Sequence, residues 1–252
     1  LLSGHIGGGN LLARKLAEAL GGQAVITTAS DTQELPALDL IIRKYGWTIT
    51  SQSTLTAVMA ALVNGRPVAF SSDFPVPNTT DLSRLPLTFF DNTEAISTTY
   101  SYQIVLSNRV LPRSAQGVTF LQLIPNGLVL GIGCNRGTEA SELESACRKA
   151  LSQSGFDIRS VDELATIPEK AEEPGIRILC EKMHWKLTVI SHEQVNSIQD
   201  LPNPSQIAHF VLGVNGVSEP CALSAAGSNK LVIKKIKFPN VTVAAAQKEL
   251  FL

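Results

Sequence analysis

The residue types best suited to chemistry lie in a glycine-rich segment in the second half of the chain, residues 131–138, which reads G-I-G-C-N-R-G-T. The apolar run at residues 128–130 before it predicts a buried strand, and the apolar spacing of residues 140–151 after it predicts a helix. Backbone N–H groups at the start of such a helix, with the guanidinium of Arg136 beside them, favour binding of a carboxylate or a phosphate. A tight turn without a ligand remains the alternative, because the glycine spacing fits neither the dinucleotide fingerprint nor the phosphate-loop motif.

Side chains at this junction also have structural interpretations. We expect Thr138 to cap the helix that follows, and we expect Arg148 and Lys149 to lie in its last turn, where cations suit the helix dipole. Cys134 has the chemistry of a nucleophile, but a thiol at such a position is more commonly a small packed residue.

A second glycine-rich segment lies near the start of the chain, at residues 3–10. A helical pattern follows it and residues 25–28 then predict a strand, so the segment begins a βαβ unit. Ligands bind at the carboxyl ends of strands in an open parallel sheet, which makes His5, Thr28 and Asp31 candidates for a site. An unperturbed histidine titrates near neutral pH, although an ordinary loop histidine is the alternative.

The composition argues against several classes of protein. The formal net charge is −1 and both halves of the chain are balanced, which argues against a nucleic-acid partner. No stretch approaches the roughly 18 consecutive apolar residues of a membrane span, so we expect no membrane partner. The four cysteines are far apart, which favours free thiols in a reducing, cytoplasmic environment. The four histidines lack metal-ligand spacing, which favours no protein-bound metal. Because the chain begins at Leu1 and not at a methionine, we expect its first domain to be truncated.

Alternating strands and helices predict an α/β fold made of several small α/β domains. The turn signal at residues 125–127 predicts the clearest boundary. We expect residues 1–45 to be the end of the truncated first domain, residues 46–125 a middle domain, and residues 126–252 a C-terminal domain with a largely parallel sheet flanked by helices. Within the C-terminal domain, further strands are predicted at residues 161–167, 187–190, 210–214, 230–237 and 241–245, and helices at residues 172–183 and 219–226.

Several polar side chains follow these predicted strands, and we expect them to converge on one cleft. Arg136 follows one strand, Thr166, Lys170 and Glu173 follow the next, and Ser218 with Glu219 follows a third. Glu173 has a structural alternative, because it also suits a helix N-terminus. Lys235 lies in a lysine-rich strand, which is more typical of a solvated strand edge. The residues alone identify no nucleophile, because neither a Ser-His-Asp order nor a G-x-S-x-G elbow is present.

Six segments form a combination that is more specific than any one of them. The first three read SGHIGGGN at residues 3–10, VITTASD at 25–31 and GIGCNRGT at 131–138. The fourth contains LATI at 164–167 and EPG at 173–175, and the fifth contains GV at 213–214, SEP at 218–220 and AAG at 225–227. The sixth contains KIK at 235–237 and VTVA at 241–244. Together they resemble the cobalamin biosynthesis protein G family, the cobalt-precorrin-5A hydrolases. The resemblance extends over nearly the whole chain and is sparsest over residues 65–125. Gly9, Ser30 and Asn135 are small departures from the family pattern, and none removes a charged or titratable group.

The resemblance implies a reaction of anaerobic vitamin B12 synthesis. Water opens a δ-lactone on a cobalt-bearing macrocycle, and the former bridging carbon leaves with its methyl group as acetaldehyde. Such a step needs a base, donors for the charge that builds on the lactone oxygen, and cations that hold a polycarboxylated tetrapyrrole. Cobalt arrives with the substrate, so the resemblance implies no resident cofactor or metal.

The resemblance also assigns roles to residues of this chain. His5 and Asp31 are the candidate bases, with Glu219 as a third catalytic candidate, and Arg136 with Lys170 are the candidate carboxylate anchors. A non-catalytic corrinoid carrier and a nucleotide-binding protein remain as alternatives, and transient contacts with neighbouring pathway enzymes and a homodimer are further expectations. The full set of substrate-binding candidates is Gly7, Gly8, Gly9, Asn10, Thr28, Cys134, Asn135, Arg136, Gly137, Thr138, Thr166, Lys170, Glu173 and Lys235, of which the amides of residues 7–9 are the candidate oxyanion donors.

Overall fold

A computed structural model describes residues 9–24, 36–76, 81–90, 99–112, 117–198 and 201–250 of the chain. The chain divides into two compact units, and each has a five-stranded sheet of its own. The predicted α/β class is therefore confirmed, while the three-part division at residues 45 and 125 stays a prediction. Unit 1 is Leu1–Ser107, Leu111–Pro125 and Leu252, and unit 2 is Asn108–Val110 and Asn126–Phe251.

Unit 1 has a mostly parallel sheet. Its described helices are α1 (Gly9–Ala19), α2 (Leu38–Lys44) and α3 (Gln52–Val63), and its described strands are β1 (Thr48–Ile49), β2 (Val68–Ser72), β3 (Leu87–Phe90), β4 (Tyr102–Leu106) and β5 (Thr119–Ile124). The strand order is β1-β5-β4-β2-β3, with β1 antiparallel to β5 and every other pairing parallel. Side chains such as Leu55, Phe70 and Leu121 fill the core that α2 and α3 share with this sheet.

Unit 2 begins with the strand predicted from the apolar run before the glycine-rich segment. Its described strands are β6 (Leu128–Cys134), β7 (Val161–Thr166), β8 (Lys186–Val189), β9 (Leu231–Lys237) and β10 (Val241–Gln247). Its described helices are α4 (Ala140–Gln153), α5 (Pro168–Ala171), α6 (Pro174–Met183), α7 (His192–Ser197), α8 (Gln206–Leu212) and α9 (Ser218–Ala226).

The sheet of unit 2 has the order β8-β7-β6-β10-β9. Strands β6, β7 and β8 are parallel, whereas β10 is antiparallel to both β6 and β9. Four of the five strands therefore run in one direction and only β10 opposes them, which confirms a largely parallel sheet flanked by helices. The carboxyl ends of β6, β7 and β9 consequently lie at the same edge, where ligands of α/β proteins bind.

The prediction of a strand at residues 210–214 is wrong, because these residues lie in and after helix α8. Ser205 caps this helix, with its Oγ accepting a hydrogen bond of 3.3 Å from the amide of Ala208. The helix ends at Gly213, which has a left-handed conformation with φ of 67°. A short apolar run such as that at residues 210–212 does not distinguish a strand from a helix, and here the cap and the glycine favour the helix.

Two helix bounds also differ from their predictions. The predicted helix at residues 172–183 is interrupted, because Glu173 precedes a proline and has extended backbone angles, so that α6 begins at Pro174. Helix α4 continues to Gln153, so Arg148 and Lys149 lie before its last turn, which contains no basic residue. Among the helices of the described ranges, none is both long enough and apolar enough to cross a membrane.

Candidate anion-binding site

The loop that follows β6 is held in place by side chains of its own unit. Asn135 pairs with Asn240 twice, its amide donating to the carbonyl of Asn240 at 2.9 Å and its Nδ2 donating to the side-chain oxygen at 2.9 Å. Thr138 Oγ1 donates to the carbonyl of Asn135 at 2.8 Å. The prediction that Thr138 caps α4 is therefore wrong: Glu139 is the N-cap residue, it makes no side-chain capping bond, and the Thr138 hydroxyl closes the loop instead.

One backbone amide of the loop donates a hydrogen bond to a carboxylate of the chain itself. Glu173 is buried, and its Oε2 accepts a hydrogen bond of 2.8 Å from the amide of Gly137. Lys170 lies beside it, with Nζ 3.8 Å from Glu173 Oε1. The Gly137 amide is therefore bonded to Glu173, and binding of an external anion by this loop stays a prediction.

Close backbone packing fixes both sides of this loop. A Cβ at Gly175 would lie 2.2 Å from the carbonyl oxygen of Thr138, so only glycine allows the start of α6 to approach the loop this closely. A Cβ at Gly131 would lie 1.8 Å from the carbonyl oxygen of Ser218, so α9 packs directly on β6 for the same reason. The two glycines therefore position the loop and the start of α9 at the carboxyl end of β6.

An open cavity of about 400 Å³ lies at this edge of the sheet. Among the described residues that line it, four carry positive charge and none carries negative charge: Arg136, Lys170, Lys235 and Lys237. The lining also has an apolar part, which comprises Ala208, Val211, Leu212, Val217, Phe238 and Pro239. Such a cavity suits an organic anion that has an apolar body and several acidic groups.

Glu219 does not line this cavity, and its carboxylate is fully engaged. Its oxygens accept hydrogen bonds from the amide of Asn203 at 3.1 Å, from Asn203 Nδ2 at 2.9 Å and from the amide of Lys235 at 2.9 Å. These bonds tie α9 to β9 and to the segment before α8. The contacts support a positioning role for Glu219, and its predicted catalytic role stays a prediction.

Lys235 is half-buried and faces the cavity together with Lys237. Residues two positions apart share one face of a strand, which explains why these two lysines line the cavity and Lys234 does not. Lys235 Nζ donates to the carbonyl of Asn203, and burial lowers the pKa of Lys235, opposed by the nearby charge of Glu219 and assisted by that of Lys237. Lys235 therefore lies on an edge strand, as the alternative expected, but it is only partly exposed and its ammonium group is bonded to Asn203.

Cys134 is a partly buried thiol at the end of β6. Burial raises its pKa, and although the charge of Lys170 lowers it, the charge of Glu173 raises it again. A thiol with a raised pKa is a poor nucleophile at neutral pH, which supports the packed-residue interpretation. The hydroxyl of Thr166 is used within the protein, because its buried Oγ1 donates a hydrogen bond of 2.8 Å to the carbonyl of Ile132.

The structure brings five of the twelve described candidates to the cavity itself. Those that line it are Cys134, Asn135, Arg136, Lys170 and Lys235, and those that lie beside it are Gly137, Thr138, Thr166, Glu173 and Glu219. Gly9 and Asn10 begin α1 in unit 1. The remaining candidates, His5, Gly7, Gly8, Thr28 and Asp31, lie outside the described residues.

Lys237 and Ser218 line the cavity although neither is among the predicted binding residues. Lys237 was detectable through the period-two spacing of lysines in a strand, because Lys235 and Lys237 must share a face. Ser218 was expected near the cleft because it follows a predicted strand, but no local signal marked it as a binding residue, since a serine before an apolar run is usually a helix cap.

Fold and site together define a class of protein, an α/β protein with a cationic and partly apolar cavity at a sheet edge. Three family models match the chain: "Cobalamin synthesis G N-terminal" at residues 1–31, "Cobalamin biosynthesis central region" at residues 36–125 and "Cobalamin synthesis G C-terminus" at residues 128–246.

Named relatives agree with this match. The chain is 33% identical over 258 residues to a cobalt-precorrin-5A hydrolase of Priestia megaterium, covering 98% of this chain and 67% of the relative. It is 26% identical over 260 residues to a cobalt-precorrin-5A hydrolase of Methanocaldococcus jannaschii named as probable, covering 99% and 74%. A solved structure described as a cobalamin biosynthesis protein G homologue from Sulfolobus solfataricus has 21% identity and a TM-score of 0.42, covering 99% and 70%. The chain belongs to the cobalamin biosynthesis protein G family.

Proposed function

We propose that this protein is a cobalt-precorrin-5A hydrolase of cobalamin biosynthesis. The observation that carries the proposal is the alignment of 98% of the chain with the Priestia megaterium protein of that name at 33% identity. The chain spans about two-thirds of that relative's length.

The cavity of unit 2 supports this substrate class. A corrinoid precursor has a large apolar ring system surrounded by carboxylate side chains, and the lining has an apolar part and four cations. Arg136 and Lys170 are the proposed anchors for these carboxylates, because cations held at a protein surface orient a polyanion before the reaction. Cobalt belongs to the substrate in this proposal.

The finer proposal concerns the bond that is broken. Water adds to the δ-lactone to give a carboxylate and an alcohol, and cleavage of a carbon–carbon bond then releases the bridging carbon and its methyl group as acetaldehyde. His5 or Asp31 is the proposed base, and the amides of residues 7–9 are the proposed donors to the lactone oxygen. These assignments rest on the family resemblance.

A non-catalytic carrier is not favoured, because the two relatives that align with nearly the whole chain are both named as hydrolases. A homodimer and contacts with other pathway enzymes stay predictions.

The test is incubation of the purified protein with cobalt-precorrin-5A under anaerobic conditions, with acetaldehyde measured after derivatisation. We expect one acetaldehyde per substrate consumed. We also expect His5→Ala to abolish release, whereas the control His192→Ala, at an exposed histidine paired with Glu169, retains it. Binding of the substrate without any acetaldehyde would contradict the hydrolase and favour the carrier.

A further inference from the structure

Ser218 is a buried polar residue without a hydrogen-bond partner. Its residue exposure is 1%, and its Oγ is one of four buried side-chain atoms in the described part of the chain that have no partner. Of these four atoms, only Ser218 Oγ belongs to a residue that lines the cationic cavity. A buried hydroxyl without a partner is unfavourable unless a ligand supplies one, so this atom indicates a ligand contact.

The position of Ser218 is fixed by the backbone. The absence of a Cβ at Gly131 lets the Ser218 carbonyl approach β6, and Val217 packs 3.3 Å from where a Cβ of Gly133 would lie. The backbone at Ser218 is therefore held close to β6, and its hydroxyl changes position only by rotation about χ1.

Ser218 is also the first residue of α9, a helix of nine residues. The first amides of a helix have no carbonyl four positions earlier within it, and the helix dipole makes this end positive. A glutamate in the first turn, such as Glu219, ordinarily balances the positive charge of this helix end. Here the oxygens of Glu219 accept hydrogen bonds from Asn203 and from the Lys235 amide instead.

Lys235 adds a cation at the same place. Its backbone amide is bonded to Glu219 and its ammonium group to the carbonyl of Asn203, so β9 and the start of α9 are tied together. Ser218 and Lys235 both line the cavity. A hydroxyl donor, a helix N-terminus and an ammonium group thus converge on one part of the lining.

We propose that Ser218 Oγ, the amides of Ser218 and Glu219 at the start of α9, and Lys235 form a subsite that binds one carboxylate of the polycarboxylated substrate. This inference rests on the proposed function and makes it more specific, because it assigns a carboxylate-recognition role to a residue outside the expected anchors. The subsite is separate from the Gly137 amide, which Glu173 occupies.

The test compares Ser218→Ala with Ser224→Ala, a matched change on the same helix at a residue that does not line this cavity. The probes are cobyrinic acid and its methyl ester, with binding measured by calorimetry. Because Ser218→Ala removes a buried hydroxyl that has no partner, we expect it not to lower the melting temperature. We expect it to weaken binding of the acid about tenfold, a value typical of losing a hydrogen bond to a charged group, and to leave binding of the ester unchanged. Ser224→Ala should match the parent protein with both probes.

Equal affinity of the parent protein and Ser218→Ala for cobyrinic acid would overturn the subsite, and so would failure of the parent protein to bind the acid. The outcome for the hydrolase is independent. If Ser218→Ala weakens acid binding but the parent protein releases no acetaldehyde from cobalt-precorrin-5A, the subsite stands and the hydrolase fails. If acetaldehyde is released and Ser218→Ala leaves KM unchanged, the hydrolase stands and the subsite fails.

Discussion

The carboxylate of Glu173 accepts a hydrogen bond of 2.8 Å from the amide of Gly137, across 36 positions of sequence. This bond joins the segment before α6 to the loop after β6, and Lys170 lies beside it. The loop that sequence motifs would assign to a ligand is therefore held in shape by an internal anion. In the proposed function, the side chains around the loop, such as Arg136, Lys170 and Lys235, recognise the ligand.

Removal of this bond should destabilise unit 2. We expect Glu173→Ala to lower the free energy of unfolding by about 2 kcal/mol, because a buried hydrogen bond to a charged group is lost and the Gly137 amide is left without its acceptor. Glu173→Gln keeps an acceptor oxygen and should cost less. Urea denaturation measures both values, and equal stability of Glu173→Ala and the parent protein would contradict this role.

Replacement of Arg136 should affect binding more than chemistry. Arg136 lines the cavity on an exposed loop, so Arg136→Ala removes a carboxylate anchor and should raise KM about tenfold, equivalent to about 1.4 kcal/mol, with kcat little changed. Lys149→Ala, at an exposed cation on α4, is the control and should leave both constants unchanged. A lower kcat at unchanged KM would argue for a role in the chemical step.

The close approach of α9 to β6 depends on the absence of a side chain at Gly131. A Cβ there would lie 1.8 Å from the Ser218 carbonyl oxygen, so Gly131→Ala must displace the backbone of α9 and should cost about 3 kcal/mol of unfolding free energy. Gly216→Ala is the control, since the nearest atom to its Cβ would be at an ordinary 3.7 Å. Similar stability of the two variants would contradict this packing.

The stability of unit 2 should depend on pH through Glu163. Burial raises the pKa of Glu163, but the hydrogen bond from Lys248 and the charges of Lys248 and Lys186 outweigh it, so the pKa lies below its ordinary value. A carboxyl with a lowered folded-state pKa stabilises the fold above the unfolded value of about 4.3, and this contribution is lost as pH falls through the folded value. We expect the stability difference between the parent protein and Glu163→Gln, measured by urea denaturation, to shrink as the pH is lowered from 7 into this range. A difference that grows as the pH is lowered would show the opposite shift.

Cys134 should be dispensable for turnover. Burial keeps its pKa above the ordinary value, so the thiol is neutral at the pH of the assay. We expect Cys134→Ala to retain kcat within about twofold, because a neutral packed thiol makes no bond with the substrate. Loss of acetaldehyde release in a folded Cys134→Ala variant would restore the nucleophile hypothesis.

The sequence predicted the central strand–loop–helix of unit 2 because its signals agree. A continuous apolar run, glycines and a helical period follow one another from residue 128 to residue 151, and β6 and α4 form there. Prediction failed at residues 210–214, where a short apolar run is consistent with either a strand or a helix and the cap at Ser205 decides. The local sequence preferences of residues 210–214 do not distinguish strongly between these two structures.

Positions of site residues were predictable where they follow strands in sequence. Arg136 and Lys170 follow β6 and β7, and parallel strands bring their carboxyl ends together, so both reach one cavity. The engagement of Glu173 with Gly137 and of Glu219 with Asn203 and Lys235 was not predictable, because it depends on long-range contacts. The unpaired hydroxyl of Ser218 depends on tertiary packing in the same way.

A crystal structure of the protein with cobalt-precorrin-5A bound would test the central claim most directly, namely that the cationic cavity of unit 2 recognises the carboxylates of the substrate. We expect substrate carboxylates within hydrogen-bond distance of Arg136, Lys170 and Lys235, with the ring system against Val211 and Phe238. A macrocycle that binds elsewhere on the protein, with this cavity filled only by solvent, would contradict the claim.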